Sequence, residues 1–82
     1  MKSFGSKELQ RCLLDLGFVV KSVESSHIKF WPPKGHETSR GRRPFQMVQI
    51  GKKTYRKNDQ NRYITQIKRF GFTKEKIVKA LS

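Results

Sequence analysis

His27 is the residue in this chain best suited to proton-transfer chemistry. It lies in the stretch Ser25-Ser26-His27-Ile28-Lys29-Phe30-Trp31 and is one of two histidines in the sequence. Imidazole titrates near neutral pH, so it can take a proton and return it. Lys29 follows two residues on and Trp31 four. A lysine can stabilise charge on phosphate oxygens, and an indole ring can stack a nucleobase. RNA is a substrate for which so small a set suffices. Its 2′-hydroxyl is a built-in nucleophile beside the scissile phosphate, so cleavage needs a base, an acid and cations, and no metal. A lone histidine in a strand is commonly inert, so this assignment depends on what surrounds it.

Other chemistries find less support. His27, His36, Cys12 and the scattered carboxylates form no ligand cluster at a metal-binding spacing. No glycine-rich phosphate loop is present. The six acids are isolated, which argues against a paired-carboxylate mechanism. Cys12 falls on an apolar helical stripe and reads as core. His36 falls in a polar loop and reads as a solvated residue, with a role as second proton carrier only if that loop folds over RNA.

The elements that must position these residues follow from periodicity. Leu9, Cys12, Leu13 and Leu16 recur at helical spacing, so Ser6 to Leu16 is predicted as a helix. Ser6 is its expected N-cap and Gly17 its C-terminal stop. The five residues before Ser6 read as a short frayed lead-in. Phe18 to Val23 is rich in β-branched and aromatic residues and reads as a strand. The polar turn Glu24-Ser25-Ser26 then makes the next strand its hairpin partner. In that second strand a period of two separates Ile28 and Phe30 from His27, Lys29 and Trp31. The first pair is expected toward the helices, the second set on the open face. Pro32-Pro33 ends the strand.

Residues 34–43 read as a long basic loop. A third strand is expected over Pro44 to Ile50, its facing left open by imperfect alternation. A second helix is expected from a cap at Asn58 or Asp59 to Phe70, burying Tyr63, Ile64, Ile67 and Phe70. Gly71 closes it, and Thr73 caps a short third helix through Leu81. The predicted fold is α+β, helix-strand-strand-strand-helix. A three-stranded antiparallel sheet packs one face on two helices, with a short extra helix at the C-terminus.

Composition sets the outer limits. Eighty-two residues make one expected domain, 1–82, with a modest core. The net charge is +13, from 19 Lys+Arg against 6 Asp+Glu. Such an excess repels itself unless an anion is near, and polyanions are the usual partners. Lys34, Arg40, Arg42, Arg43, Lys52 and Lys53 stand in the densest stretch: residues 34–57 hold eight of the basic residues and a single acid, Glu37. They are the expected phosphate contacts, together with Lys29. The single cysteine excludes an internal disulfide and suits a reducing compartment. No signal peptide is visible, and no apolar run approaches a membrane span. The expected location is the cytoplasm, with no membrane partner and no cofactor.

The order of motifs resembles the HicA family of bacterial toxins, mRNA interferases with a double-stranded-RNA-binding-like fold. The residues that carry the resemblance are Ser6-Lys7-Glu8-Leu9 with Leu13 and Gly17-Phe18, then Ser25-Ser26-His27 with Phe30 and Pro33-Lys34-Gly35. Ile67-Lys68-Arg69-Phe70-Gly71-Phe72 and Thr73-Lys74-Glu75-Lys76 complete it. The likeness runs from Ser6 to about Leu81. It implies that His27 is catalytic, that the substrate is mRNA, and that the partner is a small HicB-like antitoxin covering the active face. Two positions depart from the pattern. Ser25 stands where the family has glycine, and Val48-Gln49-Ile50-Gly51 lacks the histidine of the family's third strand. The competing expectations are a non-catalytic RNA- or DNA-binding module on the same fold, and a protein-interaction module that meets an acidic partner.

Overall fold

The structure, a computed structural model, describes residues 3–38 and 41–82. The elements are α1 (Ser6–Asp15), β1 (Val19–Glu24), β2 (His27–Trp31), β3 (Gln46–Gln49), α2 (Lys57–Lys68) and α3 (Lys74–Leu81). The sheet is antiparallel in the order β1-β2-β3. This is the α+β arrangement expected from the periodicities. Ile28, Phe30 and Val48 point inward from the sheet. They join Leu9, Cys12 and Leu13 of α1, Tyr63, Ile64 and Ile67 of α2, and Ile77 and Leu81 of α3 in one core. Phe18, at the end of the α1–β1 turn, packs between Phe70 and Phe72 with ring centroids 5.2 and 5.7 Å away.

Alternation along β2 is as expected. Ile28 and Phe30 are buried, while His27 and Trp31 are exposed. The facing of β3, which the sequence leaves open, is decided by its register. Lys29 pairs with Met47, and Phe30 with Gln46. Gln46 and Val48 therefore turn inward, and Met47 and Gln49 share the open face with His27 and Lys29. β1 carries an irregularity between Val20 and Ser22, where Lys21 is the extra residue. It puts Val20 and Val23 opposite the inward Phe30 and Ile28, yet both stay half-exposed because α1 packs on β3 rather than on β1.

Three local expectations are overturned by tertiary contacts. The residues before Ser6 are not all frayed: Phe4 is buried, stacks edge-on to Tyr55 at 5.8 Å, and its carbonyl accepts the Tyr55 N–H. The N-cap of α1 is Gly5, not Ser6. A side chain at position 5 would collide with the Lys53 carbonyl, so only glycine fits there. Ser6 instead gives both its N–H and its hydroxyl to the Lys52 carbonyl. Glu8 Oε1 accepts the Gly5 N–H at 2.8 Å, which holds its carboxyl below the usual range. Finally, α2 starts at Lys57 after Arg56, with no side-chain cap, rather than at Asn58 or Asp59. Buried Gln60 donates its side chain to the Tyr55 carbonyl and anchors that turn. By contrast Thr73 caps α3 as expected, accepting from the Lys76 N–H.

Among the described residues, no helix is long and apolar enough to cross a membrane.

Candidate nucleic-acid interface

His27 opens β2 directly after a two-residue turn, with Glu24 opposite it. Ser25 has φ 50°, the one non-glycine residue with positive φ among the described residues. The hairpin demands a left-handed conformation at this point, and that is why glycine suits it better. The Ser26 Oγ lies 3.3 Å from His27 Nδ1. A hydroxyl can donate or accept, so either neutral tautomer is compatible with this contact. With Nδ1 protonated, Nε2 is a base; with Nδ1 accepting, Nε2 carries the proton and is an acid. Nε2 makes no hydrogen bond among the described residues, and the ring is exposed.

Two residues along, Lys29 is half-buried. Its ammonium lies 3.8 Å from Glu24 Oε1 and 5.0 Å from the Phe45 ring centre. Arg43 approaches the same ring at 5.6 Å, and Trp31 at 6.2 Å. Phe45 is thus the hub of a cluster of two aromatics and two cations on the open face. Sequence reasoning picked out Trp31, Lys29 and Arg43 but missed Phe45, because the facing of the third strand was undecided. From His27 to Trp31 the strand advances roughly 13 Å. The proton-transfer group and the aromatic cluster therefore lie at opposite ends of one strand, with Lys29 between them.

The start of the basic loop is held by a residue expected to be solvated. His36 is half-buried rather than free. Its Nδ1 meets the Phe70 carbonyl at 2.9 Å, and its ring stacks on Phe72 at 4.2 Å and 8°. It closes the C-terminal end of α2, so it is not placed as a second proton carrier. Pro33 packs against Gly17 and its carbonyl accepts the His36 N–H. Lys34 sits in that turn, tied to the helix layer rather than to the aromatic cluster. Thr38 donates its hydroxyl to the Arg43 carbonyl, which draws Arg42 and Arg43 back toward β3. Arg40 lies outside the described residues.

Lys52 and Lys53 stand at the other end of the sheet. The Ile50 N–H bonds to the Ser26 carbonyl, so the chain leaving β3 passes the turn that carries His27. The Lys52 carbonyl accepts from Ser6 of α1, the Lys53 carbonyl passes close to Gly5, and both lysines remain exposed. The expected cations thus divide into two groups, one at the His27 end and one at the Trp31 end.

The buried titratable groups do not form a rival site. Cys12 is fully buried, donates to the Ile77 carbonyl, and burial pushes its thiol up to about 12. It is a poor nucleophile. Burial, followed by the influence of Tyr63, also raises the Tyr55 phenol above its ordinary range. These two tyrosines protect the free edge of β3: Tyr55 donates to the Gln49 carbonyl, and Tyr63 accepts the Gln49 N–H. No group of three or more metal-ligating side chains occurs among the described residues. No family model, no curated protein and no solved structure matches the chain.

Proposed function

We propose that this chain is a metal-independent endoribonuclease, an mRNA interferase toxin of the HicA kind. The observation that carries the reading is His27. It is an exposed imidazole with a free Nε2 on the open sheet face, with Lys29 on the same strand and the Trp31–Phe45 aromatic pair at that strand's far end. His27 takes the proton of a 2′-hydroxyl. The 2′-oxygen then bonds to phosphorus, the bond from phosphorus to the 5′-oxygen breaks, and the departing oxygen gains a proton from solvent or from the imidazolium. The products are a 2′,3′-cyclic phosphate and a 5′-hydroxyl. Lys29 offsets charge on the phosphorane oxygens. Trp31 stacks a base, while Lys34, Arg40, Arg42, Arg43, Lys52 and Lys53 hold flanking phosphates. The cell compartment on this reading is the cytoplasm, and a small acidic HicB-like antitoxin covers the face when the toxin is silent.

The test is cleavage of a long mRNA by purified protein in the presence of a chelator. The parent cuts and leaves cyclic-phosphate ends; His27→Ala binds RNA but does not cut. Equal cutting by both proteins removes the assignment.

Ser25 and Gly51 favour a second reading, an RNA- or DNA-binding module without catalysis. The turn carries a left-handed serine, and no histidine faces the site from the third strand. That reading predicts steeply salt-dependent binding and no cleavage.

A further inference from the structure

Beside the aromatic cluster, between β3, the C-terminal end of α2, Thr38 and residues 41–43, lies a cavity of about 350 Å³. Its volume falls within the range of small-molecule sites. Three arginines line it: Arg42 and Arg43 from the loop, and Arg69 from the end of α2. No carboxylate lines it among the described residues. Phe45 and Phe70 supply aromatic surface. A helix C-terminus repels anions, but here His36 donates to the Phe70 carbonyl and the arginines outweigh the remaining dipole.

The wall between these groups carries a hydrogen-bonding pattern. Gln46, a buried glutamine, donates Nε2 to Gln66 Oε1 at 2.7 Å and to the Met47 carbonyl at 3.0 Å. That leaves Gln46 Oε1 as an acceptor and Gln66 Nε2 as a donor, neither of them bonded among the described residues. Both of Gln49's backbone groups reach outward from the sheet edge to the tyrosines. Strand alternation therefore turns the Met47 N–H outward as well, on the edge that lines the cavity. Cations, an aromatic wall and a mixed donor–acceptor set match a nucleoside phosphate: phosphate on guanidinium, ring against phenyl, base edge on amide.

We propose that this cavity is a nucleotide subsite. It takes one unpaired nucleotide of the bound RNA and reads its base edge through Gln46 and Gln66. The inference rests on the RNA reading of the sheet face, but mononucleotide binding is measured without cleavage, so the two fail separately.

The test is an NMR titration of the full chain with the four ribonucleoside 5′-monophosphates, inorganic phosphate and the unphosphorylated nucleosides. Monophosphates shift the Met47 amide and the Gln46 and Gln66 side-chain amides, and bind at least about tenfold more tightly than phosphate or nucleoside alone. Arg69→Ala weakens that binding by about tenfold. Gln66→Ala narrows the difference between the four bases. Lys79→Ala, an equal charge loss on α3, changes neither. A short oligoribonucleotide displaces the mononucleotide. Shifts spread over the whole basic surface, equal losses in Arg69→Ala and Lys79→Ala, or phosphate binding as tight as nucleotide would each overturn the subsite. Failure of the oligoribonucleotide to displace the nucleotide would overturn its place in RNA binding.

Discussion

The two histidines, nine residues apart, show how environment divides one residue type between two jobs. His36 meets a carbonyl, which can only accept, so its Nδ1 carries a hydrogen whether the ring is neutral or charged. Its ring lies flat on Phe72, and it closes a helix end. His27 meets a hydroxyl, which can donate or accept, and its other nitrogen is open to solvent. The first ring is bound by its contacts to one tautomer and one place. The second can change tautomer without losing its neighbour, which is what a group that takes and returns a proton requires. Exposure and an ambivalent partner, rather than the presence of a histidine, distinguish a candidate catalyst from a structural clasp.

Exchanging the residues one at a time tests this contrast. His27→Ala is expected to reduce RNA cleavage by about 10²–10⁴-fold, the usual worth of a positioned acid–base group. Its unfolding free energy should stay within about 0.5 kcal/mol of the parent in urea. A comparable loss of stability would make His27 a second clasp.

His36→Ala should show the opposite pattern. Removal of the hydrogen bond to Phe70 and the stack on Phe72 costs about 2 kcal/mol in chemical unfolding. Cleavage per folded molecule should persist within a fewfold. Loss of cleavage with full stability would return His36 to the list of proton carriers.

The buried thiol sharpens the same lesson at alkaline pH. Its pKa is raised from 9.0 to about 12 in the folded chain. Between those values the unfolded chain loses the proton and the folded chain keeps it, so stability is full below pH 9 and falls as pH rises. The expected slope is about 1.4 kcal/mol per pH unit. Burial raises Tyr55 in the same direction, so its contribution adds at the upper end. Urea midpoints of Cys12→Ala and the parent, compared across pH 8–11, should diverge, with the variant flatter; parallel curves would remove the thiol from the account.

The smallest effect is expected at the turn that presents His27. Ser25→Gly relieves a left-handed serine and should add about 1 kcal/mol to stability. If the turn also limits cleavage, the rate rises with it. A destabilised variant would mean that the serine side chain holds the turn.

Much of this arrangement was legible from local pattern. Alternation in Ile28-Lys29-Phe30 separated the buried face from the open one, because a pleated strand allows no other division. Helical spacing marked the faces of α1, α2 and α3, and Gly17 and Gly71 marked the ends where positive φ is needed. The cations, His27 and Trp31 were legible as types. What they touch was not. Gly5 in place of Ser6 as a cap follows from the close passage of residues 52–53. The start of α2 follows from Gln60 reaching back to Tyr55.

The same division holds for the candidate site. Sequence by itself determined which residues can carry charge, stack or transfer a proton, because side-chain chemistry and strand period are local properties. Only the tertiary structure decided that Phe45 gathers Lys29, Arg43 and Trp31, that His36 is a clasp, and that Arg69 and Gln66 meet the loop across a cavity. Those pairings join residues far apart in the chain, and their geometry is set by how the helices close on the sheet.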